Sequence, residues 1–274
     1  MNEDLTIHTG LARKILTGFI RSEITRAGFS RALIGLSGGL DSAVACALTA
    51  EALGPENVLA LRLPYKTSSP DSLEDAQLTA EGLGVHFETI EVTPLADPLI
   101  QRDPEMSKLR IGNILARTRM IVLYDQSETF HGLVVGTSNK TEILLGYTTL
   151  WGDMAAAIAP LGDLYKTQVR QLARDLTVPQ SVIDKPPSAD LWIGQTDEAE
   201  LGLTYDEVDR LLFLLVDKRF TPEDCVAAGF DRSFVQDVLK RMRRSHFKRL
   251  MPPIAKLSNR TVGDDFLYFR DWGT

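Results

Sequence analysis

A short apolar run, Ala32-Leu33-Ile34-Gly35-Leu36, passes without spacer into Ser37-Gly38-Gly39-Leu40-Asp41-Ser42 and then into an alanine-rich helical pattern over residues 41–53. A strand that turns at once into a helix cannot pair with its successor as a hairpin, so the next strand returns parallel through a crossover. The rhythm repeats: 58–63 reads as strand, 71–83 as helix, 85–92 as strand, and a long helical pattern over 111–130 leads into the buried strand Gly132-Leu133-Val134-Val135-Gly136. This alternation predicts an α/β fold, a doubly wound parallel sheet of about five strands with helices on both faces. Ligands of such sheets sit beyond the carboxyl ends of the strands. The turns after Leu36, Leu63 and Val135 are therefore where chemistry is expected.

Outside the sheet, residues 5–27 carry Leu11, Ile15, Phe19, Ile20 and Ile24 at helical spacing, and Gly28 ends that pattern. Residues 93–108, rich in Pro, Asp and Thr, read as a loop, and 166–176 as a helix. The stretch 179–203 is rich in Pro, Gly and Asp without a sustained period and reads as a lid, centred on about 184–203. The last third is helical in pattern over 205–216, 222–228 and 233–249, a helical C-terminal extension spanning about 204–250. The whole of 1–274 is expected to form one domain.

A net charge of -7 argues against a nucleic-acid surface spread over the protein. No run approaches the ~20 apolar residues of a membrane span, and the polar opening MNEDLTIHTG has no signal core. Cys46 and Cys225 lie far apart without metal-ligand spacing and read as reduced thiols, so a cytoplasmic protein with small-molecule partners is expected. The final helical pattern is basic, with Lys240, Arg241, Arg243, Arg244, Lys248 and Arg249; a solvated face and contact with a polyanion are both open.

The serine- and glycine-rich turn has the chemistry of an anion cradle. Consecutive glycines let backbone N–H groups turn inward, serine hydroxyls add donors, and the helix start contributes partial positive charge. A plain N-capped turn is the competing explanation. The turn lacks the Gly-Lys-Ser/Thr ending of a loop that transfers a γ-phosphoryl group. Asp41 and Glu142, each at the mouth of a strand-to-helix turn, could hold a hard cation, although Glu142 alone would also suit the first turn of a helix. Lys166 opens a helix, where the dipole disfavours a cation, and this suggests an anionic ligand.

The turn resembles the SGGxDS loop of ATP-pyrophosphatases, which holds the pyrophosphate released when ATP adenylates a substrate. A second set of motifs narrows the resemblance: Gly136-Thr137-Ser138-Asn139-Lys140-Thr141-Glu142, Trp151-Gly152-Asp153, Pro160-Leu161-Gly162-Asp163-Leu164-Tyr165-Lys166-Thr167, Asn113 through Arg119, and Lys185 through Leu191. In order and spacing these resemble the NAD synthetase family over about residues 10–255. The resemblance implies an adenine-nucleotide alpha-hydrolase-like fold and a ligase that adenylates deamido-NAD, releases AMP and pyrophosphate, and lets ammonia displace AMP. It implies ATP contacts at Gly35, Leu36, Ser37, Gly38, Gly39, Leu40, Asp41, Ser42, Thr137, Lys166 and Ser188, and Mg²⁺ at Asp41 and Glu142. Deamido-NAD contacts are implied at Asn113, Arg117 and Asp153, with Lys166 and Asp153 nearest the chemistry. For Arg117 a plain surface arginine is the alternative. A GMP synthetase-like ligase and a nucleotide sensor without turnover are the competing functions, and the motifs over 136–167 favour NAD synthetase.

Two positions depart from the ammonia-dependent pattern: Leu150 stands where a lysine is usual and Ala157 where an aspartate contacts the dinucleotide. Residues 152–157 resemble the synthetase domain of the glutamine-dependent branch, yet with only about 30 residues ahead of the loop no glutaminase domain is expected there. Free ammonia is expected, with a separate glutaminase chain as the other source. A homodimer is also implied, since the family places deamido-NAD at a two-fold interface and the 111–130 helix offers Ile114, Met120, Ile121 and Leu123.

Overall fold

The protein is described here by a computed structural model covering residues 5–188 and 202–262. Its sheet has four parallel strands, β1 (Arg31–Gly35), β2 (Val58–Arg62), β3 (His86–Thr89) and β4 (Gly132–Val134), in the order β3-β2-β1-β4. β1 is central and pairs with both β2 and β4, Leu33 lying opposite Leu59 on one side and Val134 on the other. Past β4, a single parallel bridge between Val135 and Ile158 takes the place expected for a fifth strand. The chain there stays extended only long enough for Ala157 N–H to reach Val134 O and Gly136 N–H to reach Ile158 O.

The side-chain alternation divides the core. Ala32 and Ile34 of β1 with Val58 and Ala60 of β2 pack under α1 (Thr9–Arg26), α2 (Leu40–Leu53), α3 (Pro70–Leu83) and α7 (Lys166–Ala173). Leu33, Leu59 and Leu61 face the other way, against α4 (Thr93–Ile100) and α5 (Lys108–Phe130). Because both faces are covered at the centre of the sheet, β1 and β2 read as nearly unbroken apolar runs rather than as alternating ones, while the edge strand β3 stays largely exposed. Pro70 sits in the first turn of α3, where its missing N–H costs no hydrogen bond, and Gly84 ends that helix in the left-handed region.

Two expectations change. The Pro-rich stretch 93–108 contains α4, because Pro94 sits in the first turn and the burial of Ala96 against the sheet outweighs the internal Pro98. The opening helix forms, but only Ile20 and Ile24 are buried, while Leu11, Ile15 and Phe19 face solvent. Among the described residues no helix is long and apolar enough to cross a membrane.

The C-terminal helices α9 (Tyr205–Leu212), α10 (Pro222–Ala227) and α11 (Arg232–Arg244) form a third cluster around Tyr205, Val208, Leu211, Val235 and Val238. This layer is pinned to the sheet helices by polar contacts. Asp209 of α9 is fully buried; its carboxylate accepts from Thr141 Oγ1 of α6 (Lys140–Leu145) at 2.5 Å and from Thr167 N–H at the start of α7 at 2.8 Å. Burial raises the Asp209 pKa, and these donors oppose that shift. The Tyr165 hydroxyl and Lys140 Nζ both donate to Asp217, at 2.5 and 3.0 Å, the last residue of the π-helical turn that follows α9.

The 179–203 stretch begins with α8 (Gln180–Asp184), a short helix that buries Val182 and Ile183; the rest of the expected lid from residue 189 to 201 lies outside the described residues. Removing the Asp209 carboxylate would strand the Thr141 hydroxyl and the Thr167 N–H in a dry interface. Asp209→Ala should therefore lower unfolding stability by roughly 3 kcal/mol, read as an earlier urea midpoint; a midpoint within error of the parent would show that α9 is not pinned this way.

Candidate active site

The turn after β1 is built by its own serines. Ser37 N–H donates to Ser42 Oγ at 3.2 Å, Gly39 N–H to Ser37 Oγ at 3.3 Å, and Ser42 Oγ to Gly39 O at 2.9 Å. Gly38 has φ +80°, and a Cβ there would lie 2.1 Å from Ser72 O, so neither the conformation nor the space admits a side chain. No side chain caps the start of α2, and the first-turn residue Asp41 faces the cavity.

That cavity, of about 500 Å³, lies across the carboxyl ends of the strands. All of Gly35, Leu36, Ser37, Gly38, Gly39, Leu40, Asp41 and Ser42 line it, with Thr137, Glu142, Lys166 and Ser188, and so do Asn113 and Asp153. Arg117 is the predicted residue that does not. It is exposed on the outer side of α5, where its Nε donates to Leu150 O at 3.2 Å.

Charge is concentrated where α2, α6 and α7 begin. Lys166 Nζ forms an ion pair with Asp41 Oδ2 and lies 3.5 Å from Glu142 Oε1. The lysine side chain is only 5% exposed. Its ammonium also lies over the Tyr205 ring, 5.2 Å from the centroid, and its backbone N–H donates to Thr141 Oγ1 at 3.0 Å.

Asn139, which the sequence reading left without a role, organises the same carboxylates from the opposite side. Its Nδ2 donates to Asp41 Oδ1 at 3.0 Å, its Oδ1 accepts from Glu142 N–H at 3.0 Å, and its N–H donates to Glu142 Oε2 at 3.3 Å. Asn139 and Glu142 thus form a capping box at the start of α6. The N-x-x-E spacing was the signal that could have found it. The cap and the charged role of Glu142 coexist, since the box uses one carboxylate oxygen and the other points at Lys166.

At the other end of the cavity, Asp153 is exposed where it lines the wall, and partial desolvation by the surrounding groups raises its carboxyl pKa. The Thr149 N–H, donating to Asp153 Oδ1 at 2.7 Å, and the nearby Lys248 charge oppose the shift. Thr149 Oγ1 also donates to Asn113 Oδ1 at 2.9 Å, linking α5 to the Asp153 loop. Lys248 lines the cavity as well; it donates to Gly146 O at 2.8 Å and Thr148 O at 2.6 Å, and burial followed by the Arg117 charge lowers its pKa.

The basic run therefore divides. Lys248 faces the cavity, whereas Arg249 donates to the carbonyls of Ile143, Leu144 and Met242 and so closes the carboxyl end of α6. Arg243 and Arg244 are solvated. The close approach of α11 to α6 needs Gly146, at φ +69°, because a Cβ there would lie 2.0 Å from Ser245 Cβ.

The NAD synthase family model matches residues 13–252. An NH(3)-dependent NAD(+) synthetase of Trichlorobacter lovleyi is 55% identical over 269 residues, covering 98% of each chain. Among solved structures, NMN synthetase from Francisella tularensis is similar at a TM-score of 0.81 and 32% identity, over 92% of this chain and all of that one. The NH3-dependent NAD synthetase of Campylobacter jejuni, a complex with the nitrate ion, is similar at 0.78 and 31%, with the same coverage. With the fold, the SGGLDS turn and the charged cluster beneath it, these similarities show that the chain belongs to the NAD synthase family.

Proposed function

We propose that this cavity joins ATP, deamido-NAD and ammonia to give NAD, with AMP and pyrophosphate released. The observation that carries the reading is the convergence of Asp41, Glu142 and Lys166 beneath the SGGLDS turn in the cavity that also holds Asp153. The curated relatives at 50–55% identity are NH(3)-dependent NAD(+) synthetases.

A carboxylate resists attack by ammonia because oxide would have to leave. Adenylation replaces oxide with AMP, so the site must align the nicotinate carboxylate with the α-phosphorus and stabilise the departing pyrophosphate. The turn from Gly35 to Ser42 supplies backbone and hydroxyl donors, Lys166 a cation, Thr137 a nucleotide contact, and Ser188 a hydroxyl where the lid begins. Asn113 and Asp153 bound the dinucleotide end, where Asp153 can hold ammonium beside the adenylate and take up a proton. Arg117, exposed on α5, suits a dinucleotide that extends past the cavity toward a second copy of the chain. Ile121, 60% exposed on the same helix, supports a homodimer formed there; Ile114 and Leu123 pack partly against the sheet.

The donor set fits Mg²⁺. Asp41 and Glu142 present hard oxygens side by side, and among the described residues no cluster of three or more His, Cys, Asp or Glu forms a separate site, so phosphate and water would complete the coordination. When bound there, the ion would offset charge on the triphosphate.

A thiol nucleophile for glutamine hydrolysis has no support. Cys46 is buried within α2, and burial pushes its thiol pKa up to about 12. Cys225 is also buried, with its pKa raised by burial and by Asp224. Free ammonia is therefore the proposed donor, and the cytoplasm the proposed compartment.

Incubation with ATP, Mg²⁺, deamido-NAD and ammonium should yield AMP and NAD in equal amounts, and stoichiometric ADP would refute the reading. Nicotinate mononucleotide, tested in parallel because of the Francisella neighbour, should be the poorer substrate by kcat/KM. Asp41→Asn and Glu142→Gln should each lower turnover by roughly 10²-fold or more while the fold, read by circular dichroism, stays intact.

Replacing ammonium by glutamine should abolish NAD formation by the purified chain, and light scattering at micromolar concentration should give the dimer mass. Glutamine-supported turnover free of contaminating ammonium would overturn the first expectation, and a fully active monomer the second.

A further inference from the structure

Asp41 and Glu142 each turn one oxygen toward Asn139 and the other toward Lys166. Asn139 holds one from each carboxylate, Asp41 Oδ1 through its side-chain amide and Glu142 Oε2 through its backbone N–H. The remaining pair, Asp41 Oδ2 and Glu142 Oε1, turns toward Lys166 Nζ. A divalent cation bound by these carboxylates would use those same oxygens.

We propose that Lys166 is the resident counter-ion of the carboxylate pair and that a divalent metal ion must displace its ammonium. Metal would then bind weakly by itself and more tightly together with the nucleotide. The proposal deepens the metal assignment above and rests on it.

The electrostatics favour this exchange. Two carboxylates against one ammonium leave a single net negative charge, whereas adding a divalent ion with the ammonium still in place would press two cations together in a nearly dry site. The lysine cannot withdraw far, since its backbone N–H is held by Thr141 Oγ1 and its ammonium is backed by the Tyr205 ring. It lines the cavity beside the SGGLDS turn. A triphosphate arriving there offers the ammonium new oxygens as the metal takes the old ones. Each event promotes the other, which is coupling in the thermodynamic sense and therefore reciprocal. Without ligand, the same ammonium keeps two adjacent carboxylates from repelling each other.

The test is Mn²⁺ binding to the full chain without nucleotide, followed by electron paramagnetic resonance. Lys166→Met should bind Mn²⁺ roughly tenfold or more tightly than the parent. Lys166→Arg, which keeps a cation, should show no such gain, and adding Asp41→Asn to Lys166→Met should abolish it. Equal or weaker Mn²⁺ binding by Lys166→Met would overturn the proposal.

Should Lys166→Met fail to fold, the parent itself decides the question. Millimolar Mn²⁺ alone should speed reductive methylation of Lys166, read by peptide mass spectrometry, and bound Mn²⁺ without that change would refute the exchange. Neither measurement involves deamido-NAD, so an error in the amidation reading would appear in the product assay and leave these results intact.

Discussion

One buried ammonium between two carboxylates holds the first turns of three helices together. Asp41 begins α2, Glu142 begins α6 and Lys166 begins α7, and their sequence separations of 125 and 24 residues mean that only the folded sheet brings them into contact. Burying such charges costs several kcal/mol per ion unless partners and hydrogen bonds offset it. The offset here comes from Asn139 on one side and the Thr141 to Asp209 link on the other. Losing one of these supports would leave a buried charge exposed to its neighbours rather than simply remove a contact.

The layers follow from that demand. The sheet fixes where β1 and β4 end, and hence where α2 and α6 can start. It does not fix α7, which reaches the cluster after a long excursion from residue 146 to 165. The C-terminal helices complete the arrangement: Asp209 receives the Thr167 N–H, Lys248 ties down the carbonyls of Gly146 and Thr148, and Arg249 closes α6. An extension that reads in the sequence as an added helical layer therefore positions, from behind, the helices whose first turns line the cavity.

What the sequence revealed and what it hid divide along physical lines. The central strands β1 and β2 were legible because both their faces are buried and their runs are almost wholly apolar, whereas the edge strand β3 is largely exposed and polar. The SGGLDS turn was legible because its chemistry is local, with serines and glycines bonding within a few residues. Even Asn139 left a local trace in its N-x-x-E spacing. By contrast, α4 was hidden by prolines whose helix-breaking tendency yielded to burial of Ala96, and the outward direction of Arg117 depends on how α5 sits on the sheet. Asp209 was the least legible, because a charged residue in an amphipathic helix ordinarily faces water, and only the packing of α9 on α6 and α7 encloses it.

The position of Lys166 joins these threads. A cation at a helix start opposes the helix dipole, so α7 by itself would be less stable for carrying it there. The opposing charges come from other elements, Asp41 and Glu142 at the ammonium and Asp209 at the backbone, so the penalty is met by tertiary contacts rather than within the helix. This arrangement suits a ligand that brings more negative charge. The lysine sits where the protein alone tolerates it and where a triphosphate would favour it more strongly, with its orientation set before the ligand arrives. Preorganisation of this kind removes the need to reorder the site as charge develops on the departing pyrophosphate.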